Sequence, residues 1–218
     1  MNLPPTNLRK GRFYTDKLFV ESGIREANRL IKHFNLNADS SVLDVGCGPG
    51  RLPIGILNTI EIKHYHGIDV EKNTIKWCAE NIKADNFQFS HIDVYNGRYN
   101  LKGSEIDNDF FFPTDKCFDI IYLYSLFSHM IADDIKVYLR EFDWLLREKG
   151  GIFMTVFVED GVPDMTINPK AYIVKGNSAL AIVRYNKEFF ESLLMDFKIE
   201  YFEYRAITEE QSIYYLCR

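Results

Sequence analysis

The sequence predicts an α/β fold built on a mainly parallel sheet with helices on both faces. Three observations predict it. Short apolar runs alternate with amphipathic segments from about residue 40 to residue 158, the pattern of βαβ units. The first apolar run breaks into Gly46-Cys47-Gly48-Pro49-Gly50, three glycines where a strand should meet a helix. The last two runs, Lys198–Arg205 and Ser212–Arg218, are joined only by residues 206–211. That connection is too short for a parallel crossover, so the pair should be antiparallel.

Each element follows from its own pattern. Leu18, Phe19, Ile24, Ala27, Leu30, Ile31 and Phe34 recur at helical spacing and predict a helix over about 18–34. Ser40–Gly46 reads as a short buried strand and RLPIGILNTI as the next helix, with Pro53 in its first turn, where the missing N–H is no loss. His64–Val70 is the second strand, Glu71–Ile82 the second helix, and the alternation in Phe87–Val94 predicts the third strand. A polar and aromatic connection, Tyr95–Lys116, leads to the fourth strand, Phe118–Tyr124. ADDIKVYLREFDWLLREKG is an amphipathic helix with acids at its start, and Gly150-Gly151 should stop it. Gly151–Val158 is the fifth strand. After it, AYIVKGNSALAIVRY is expected to form a hairpin turning at Gly176-Asn177, and KEFFESLLMDF a helix before the antiparallel pair.

Composition narrows the function classes. A net charge of −5 and a pI near 5.6 argue against broad nucleic-acid binding, which needs a basic footprint. Cys47, Cys78, Cys117 and Cys217 are widely spaced with no C-x-x-C pair, which fits reduced thiols better than a disulfide framework or a zinc site. The opening MNLPPTNLRKGRFYTDKLF lacks the apolar stretch of a signal peptide, and no run approaches the roughly 20 apolar residues needed to span a bilayer. The expectation is a soluble, cytoplasmic protein without a membrane partner.

The glycine loop carries the chemistry. Ligands of open α/β sheets bind beyond the carboxyl ends of the strands, and the loop after the first strand is the prime position. A dinucleotide fingerprint requires G-x-G-x-x-G, whereas this chain has G-x-G-x-G preceded by Asp44. A carboxylate there would repel a pyrophosphate but suits a ligand with an ammonium group or a cationic sulfur. Asp69 closes the second strand 21 residues after Gly48, where an acid accepts hydrogen bonds from ribose hydroxyls. Asp93, ending the third strand, is placed to accept from an adenine amino group. These spacings put three acids at three consecutive strand ends.

Taken together, VLDVGCGPGR, GIDV, FSHIDV, FDIIYLYSLFSHM and LREKGGIFMTVFV resemble the successive motifs of class I S-adenosylmethionine-dependent methyltransferases, in order from about Ser40 to Val158. The resemblance implies a Rossmann-like three-layer sandwich, with a seven-stranded, mostly parallel sheet and an antiparallel last strand. It implies S-adenosyl-L-methionine as cofactor, with Gly46, Gly48 and neighbouring backbone holding its methionine part and Asp44, Cys47 and Arg51 as further cofactor-binding residues. Asp69 and Val70 would lie at the ribose, Asp93 and Val94 at the adenine, and Leu123 and Tyr124 beside the methionine and sulfonium. Tyr14, in an N-terminal segment able to fold over the cofactor, is a further candidate contact.

The acceptor is read from what surrounds that cofactor. His129, just past the fourth strand, is the candidate general base for a hydroxyl acceptor, since its unperturbed pKa lies nearest neutrality. His64, His66 and His91 sit inside strand patterns and read as structural. No N-P-P-Y-like tetrapeptide follows the fourth strand, Cys47 and Cys117 are misplaced for a catalytic thiol, and no metal-ligand spacing occurs. The chain is read as one domain, 1–218, with 1–39 as a helical lid and with 95–116 and 159–185 as insertions that build the acceptor site. The expected function is O-methylation of a small-molecule or glycan hydroxyl by a monomer or homodimer that binds no nucleic acid. The alternatives are a dinucleotide-binding oxidoreductase and a catalytically silent cofactor-binding protein.

Overall fold

The computed structural model describes residues 2–9, 15–170, 178–207 and 210–218. Tyr14 and the expected turn at Gly176-Asn177 lie outside the described residues. The elements run α1 (Asp16–Phe34), β1 (Ser41–Val45), α2 (Arg51–Leu57), β2 (His64–Asp69), α3 (Lys72–Asn81), β3 (Phe87–His91) and β4 (Phe118–Leu123). A short 3-10 turn, Phe127–His129, precedes α4 (Ala132–Leu145), β5 (Leu146–Glu159), β6 (Met165–Ile167), β7 (Val183–Asn186), α5 (Lys187–Leu193), β8 (Lys198–Glu203) and β9 (Ser212–Cys217).

β1 is buried along its whole length, as a strand covered on both faces must be. It pairs in parallel with β2 on one side and β4 on the other. β3 adds in parallel to β2, and β5 to β4. β9 then lies antiparallel between β5 and β8. The path β3-β2-β1-β4-β5-β9-β8 is the expected sheet with its antiparallel last strand. A second path leaves the end of β5: β7 runs parallel to Phe157–Glu159, and β6 lies antiparallel to β7.

Alternation along the strands divides the core. Leu43, Val45, Ile121, Leu123, Ile152 and Met154 pack with Ile135, Leu139 and Phe142 of α4 and Phe190 of α5. On the opposite face, Val42, Ile120, Tyr122 and Phe153 meet Ala27 and Leu30 of α1 and Leu52 and Ile56 of α2. Thr15 caps α1, its hydroxyl accepting from the Leu18 N–H at 3.2 Å, and Asn35 ends the helix in the left-handed region. α1 and α2 cross backbone to backbone. A Cβ on Gly55 would fall 2.1 Å from the carbonyl carbon of Gly23, and one on Gly23 would fall 2.2 Å from the carbonyl oxygen of Arg51.

The elements depart from the sequence expectation at three places. α4 ends at Leu145, not at Gly150-Gly151, because Leu146 already pairs with Phe118 at the start of β5. Lys149, with φ 67°, lets the chain bulge before regular pairing resumes at Gly151. β3 stops at His91, the partner of the last residue of β2, so Asp93 and Val94 belong to the loop beyond it. After β5, a strand that the sequence pattern does not mark, Met165–Ile167, pairs antiparallel with Val183–Tyr185. Of the three consecutive phenylalanines, Phe110 and Phe112 seat the long connection against Tyr138, while Phe111 is exposed. No helix among the described residues is long and apolar enough to cross a membrane.

Candidate functional site

The strand order reverses between β1 and β4, so the crevice beyond their carboxyl ends is the expected ligand position. The glycine loop lies there, closing onto β2 through N–H groups of Gly46 and Cys47, which donate to the Ile68 carbonyl at 2.8 and 3.0 Å. Gly46, Gly48 and Gly50 all have positive φ (78°, 52° and 83°), a conformation that disfavours any side chain. Their surroundings differ. A Cβ on Gly50 would come 2.5 Å from Cδ1 of Ile82, and one on Gly46 would come 3.1 Å from Cδ1 of Leu126. A Cβ on Gly48 would meet nothing within 4 Å. Two of the glycines serve packing, and the middle one faces open space, where a ligand can approach the backbone.

Asp69 fixes that middle residue. Its Oδ2 accepts from the Gly48 N–H and its Oδ1 from the Glu71 N–H, each at 2.8 Å. One carboxylate therefore ties the glycine loop to the start of α3.

Asp44 is placed differently from the strand-end expectation. It lies inside β1, is 2% exposed, and accepts from the Tyr65 hydroxyl at 2.6 Å. Burial pushes its carboxyl up to about 7, against the pull of the Tyr65 hydrogen bond and of Arg51. An acid whose pKa is raised on folding binds its proton more tightly in the folded state, so stability falls as pH rises from the unfolded to the folded value. The expected loss is about 1.4 kcal/mol per pH unit between roughly pH 4 and pH 7. Asp44→Asn should flatten this slope, leaving the variant more stable than the wild type at pH 8. Urea titrations at pH 5 and pH 8 measure it, and equal slopes for both proteins would refute the assignment.

Arg51 opens α2 beneath the end of β4. Its guanidinium carbon lies 4.1 Å from the Tyr124 ring centre, and Nη2 donates to the Tyr122 hydroxyl at 3.5 Å. Burial works against its charge, but Tyr122, Glu26, Tyr124 and Asp44 raise its pKa, so it stays cationic. Cys47 is buried, and burial drives its thiol well above the ordinary range, which makes it a packing residue. Leu123 is fully buried in the core against α4, so only Tyr124 of that pair has any exposure.

Beyond β3, Asp93 is exposed. Its Oδ1 accepts from Nδ2 of Asn100, while Val94 is buried and its carbonyl accepts from the same amide, both at 3.0 Å. These contacts close residues 94–104 into a compact loop. His129 joins that loop to the segment before β7. Its carbonyl accepts from Nδ2 of Asn96 at 2.9 Å, and its Nδ1–H donates to the Leu180 carbonyl at 3.2 Å. Arg98 donates to the Ala181 carbonyl, and Ser178 to the Gly97 carbonyl. Residues 96–98 and 178–181 thus form one wall, with the imidazole inside it. Burial lowers the His129 pKa to about 3, with Arg98 adding to the effect and the Leu180 and Ala181 carbonyls opposing it. Burial and the hydrogen bond to Leu180 thus disfavour the general-base role expected of His129.

Of the other histidines, His66 bonds Ser90, His91 bonds the Val70 carbonyl, and His64 bonds the Asn86 carbonyl. Sequence reasoning missed Tyr65, which holds Asp44, and Ser125, which follows β4 with φ 57°. Neither carries a local motif. The glycines in ESGIREA and PIGIL were the available sign of the α1–α2 crossing.

Solved structures share this architecture. A chain from the complex of the Haloferax volcanii Trm112 methyltransferase activator with a methyltransferase superposes with a TM-score of 0.65 at 14% identity, covering 93% of this chain and 92% of that one. An S-adenosylmethionine-dependent methyltransferase from Clostridium acetobutylicum gives 0.62 at 14% identity, over 93% and 92%. The N-methyltransferase NodS from Bradyrhizobium japonicum gives 0.58 at 12%, over 93% and 98%. At such identities the likeness is one of fold. The family described as "Methyltransferase domain" matches residues 43–153, half of the chain and the stretch from β1 to β5 that holds the glycine turn, Asp69 and the end of β4. On that match, this chain belongs to the methyltransferase domain family.

Proposed function

We propose that the protein transfers a methyl group from S-adenosyl-L-methionine to a small-molecule nucleophile. The observation that carries this reading is the glycine turn, with Gly48 open to approach and its N–H held by Asp69. When bound, the cofactor supplies an electrophilic methyl group on a sulfonium. The backbone of Gly46–Gly48 would hold its methionine part above the buried Asp44, and Asp69 would accept from the ribose hydroxyls. Asp93 and Val94 would frame the adenine, and Tyr124, backed by Arg51, would stand beside the methionine. The wall of residues 96–98 and 178–181 would hold the acceptor on axis, the step in which positioning contributes most.

A sugar-like hydroxyl needs a base to remove its proton, and His129 is poorly suited to that task. The O-methylation reading is therefore carried by an acidic hydroxyl such as a phenol. A second reading, favoured by the same neutral imidazole, is an amine that reacts through its own lone pair. Both are tested with isotopically labelled cofactor and a panel of phenols, sugars and amines, with products read by mass spectrometry. The rate should follow the acceptor's own ionisation and show no limb near the ordinary histidine value. His129→Asn should retain that profile and lose much less than the roughly 10²-fold expected on removing a general base. A limb near pH 6–7 that vanishes in the variant would return His129 to catalysis.

A further inference from the structure

The turn after β4 is held by a closed polar circuit that the cofactor cradle does not require for its own hydrogen bonds. Ser125 adopts the left-handed region with φ 57°, a strained setting for a residue with a side chain. Its N–H donates to Oγ1 of Thr155 at 2.7 Å, and the Thr155 hydroxyl donates to Oε1 of Gln211 at 2.7 Å. Nε2 of Gln211 donates back to Oγ of Ser125 at 2.7 Å. Oγ of Ser125 lies 2.9 Å from Oγ of Ser128, which itself donates to the Ser125 carbonyl. Thr155, Gln211 and Ser128 are essentially buried. Every hydroxyl proton has an acceptor, so the circuit is satisfied only with these groups in place.

The circuit joins three distant parts of the chain. Thr155 stands on β5, Ser125 precedes the 3-10 turn after β4 and Ser128 lies within it, and Gln211 immediately precedes β9. Between Ser125 and Ser128 lies Leu126, whose Cδ1 is the atom that a side chain on Gly46 would meet. What holds Ser125 therefore holds Leu126 against the glycine turn. We propose that Gln211 is a positioning residue for methyl transfer: acting through Thr155 and Ser125, it sets the turn after β4 and, through Leu126, the cofactor cradle. The inference rests on the reading of the site as a methyltransferase site. It also gives the connection between β8 and β9, remote in sequence from the glycine turn, a direct mechanical route to it.

The test uses the full chain and S-adenosylhomocysteine as probe, with affinity from calorimetry and folding from thermal melts. Gln211→Leu and Thr155→Val break the circuit with little change in volume, and Thr155→Ser keeps its hydroxyl. Expected are a tenfold or greater loss of affinity in Gln211→Leu and Thr155→Val, measured below their melting transitions, and affinity within threefold of wild type in Thr155→Ser. A purely structural role would lower the melting temperature of the first two and leave affinity unchanged, which would overturn the inference. Should Gln211→Leu fail to fold, Ser128→Ala and Thr155→Val still decide it by the same criterion. Absence of S-adenosylhomocysteine binding by the wild type would instead overturn the parent reading, and this one with it.

Discussion

Asp69→Ala is expected to weaken S-adenosylhomocysteine binding by roughly 10- to 150-fold, the equivalent of about 1.5–3 kcal/mol for a charge-assisted hydrogen bond. Two losses combine in it. The ligand loses a carboxylate acceptor, and the Gly48 N–H loses the partner that holds the turn in its left-handed conformation. Asp69→Asn separates them, because one amide oxygen can still serve one of the two N–H groups. Its affinity should fall between those of alanine and wild type in calorimetric titration. Unchanged affinity in the alanine variant would move the hydroxyl contact away from β2.

Gly55→Ala is expected to produce the largest loss of stability, about 3 kcal/mol or more, since its methyl would enter the backbone of α1 with no side chain able to yield. For a domain of this size the melting temperature should fall by about 6–12 °C. Gly23→Ala should behave alike, its methyl meeting the Arg51 carbonyl across the same crossing. Circular-dichroism melts measure both, and a fall under about 2 °C would show that the helices can separate at little cost. Arg51 opens α2 directly after the glycine turn, so any separation also shifts the end of the turn.

These two cases mark what the sequence could express. SVLDV, buried on both faces, and the turn behind it are local facts, and so is the interval from Gly48 to Asp69. They were readable because each element's geometry is set within a few residues. The alternation in FQFSHIDV carries on past the point where β3 stops, since pairing ends with its neighbour β2 at Asp69 and not with its own pattern. The amphipathic period of α4 likewise runs into LREKG, but Phe118 claims Leu146 for the sheet. From sequence, His129 carries the usual pKa of an imidazole, whereas burial and the Arg98 charge lower it inside a wall whose Leu180 carbonyl lies 51 positions away. The Ser125–Gln211 contact spans 86 positions and has no signature at either end. Tertiary neighbours decided each of these.

The handover along β5 has an evolutionary side. One stretch of that strand, Gly151–Val156, pairs with β9, and the next, Phe157–Glu159, with β7. The short β6–β7 tab is thus grafted onto the strand tip without interrupting the ladder that holds the sheet together. A lineage could lengthen, shorten or replace the outer part of the tab while the load on the main sheet stayed constant. Changes at little risk to folding would be confined to the largely exposed residues 160–167, since Val183 and Tyr185 are fully buried in the main core.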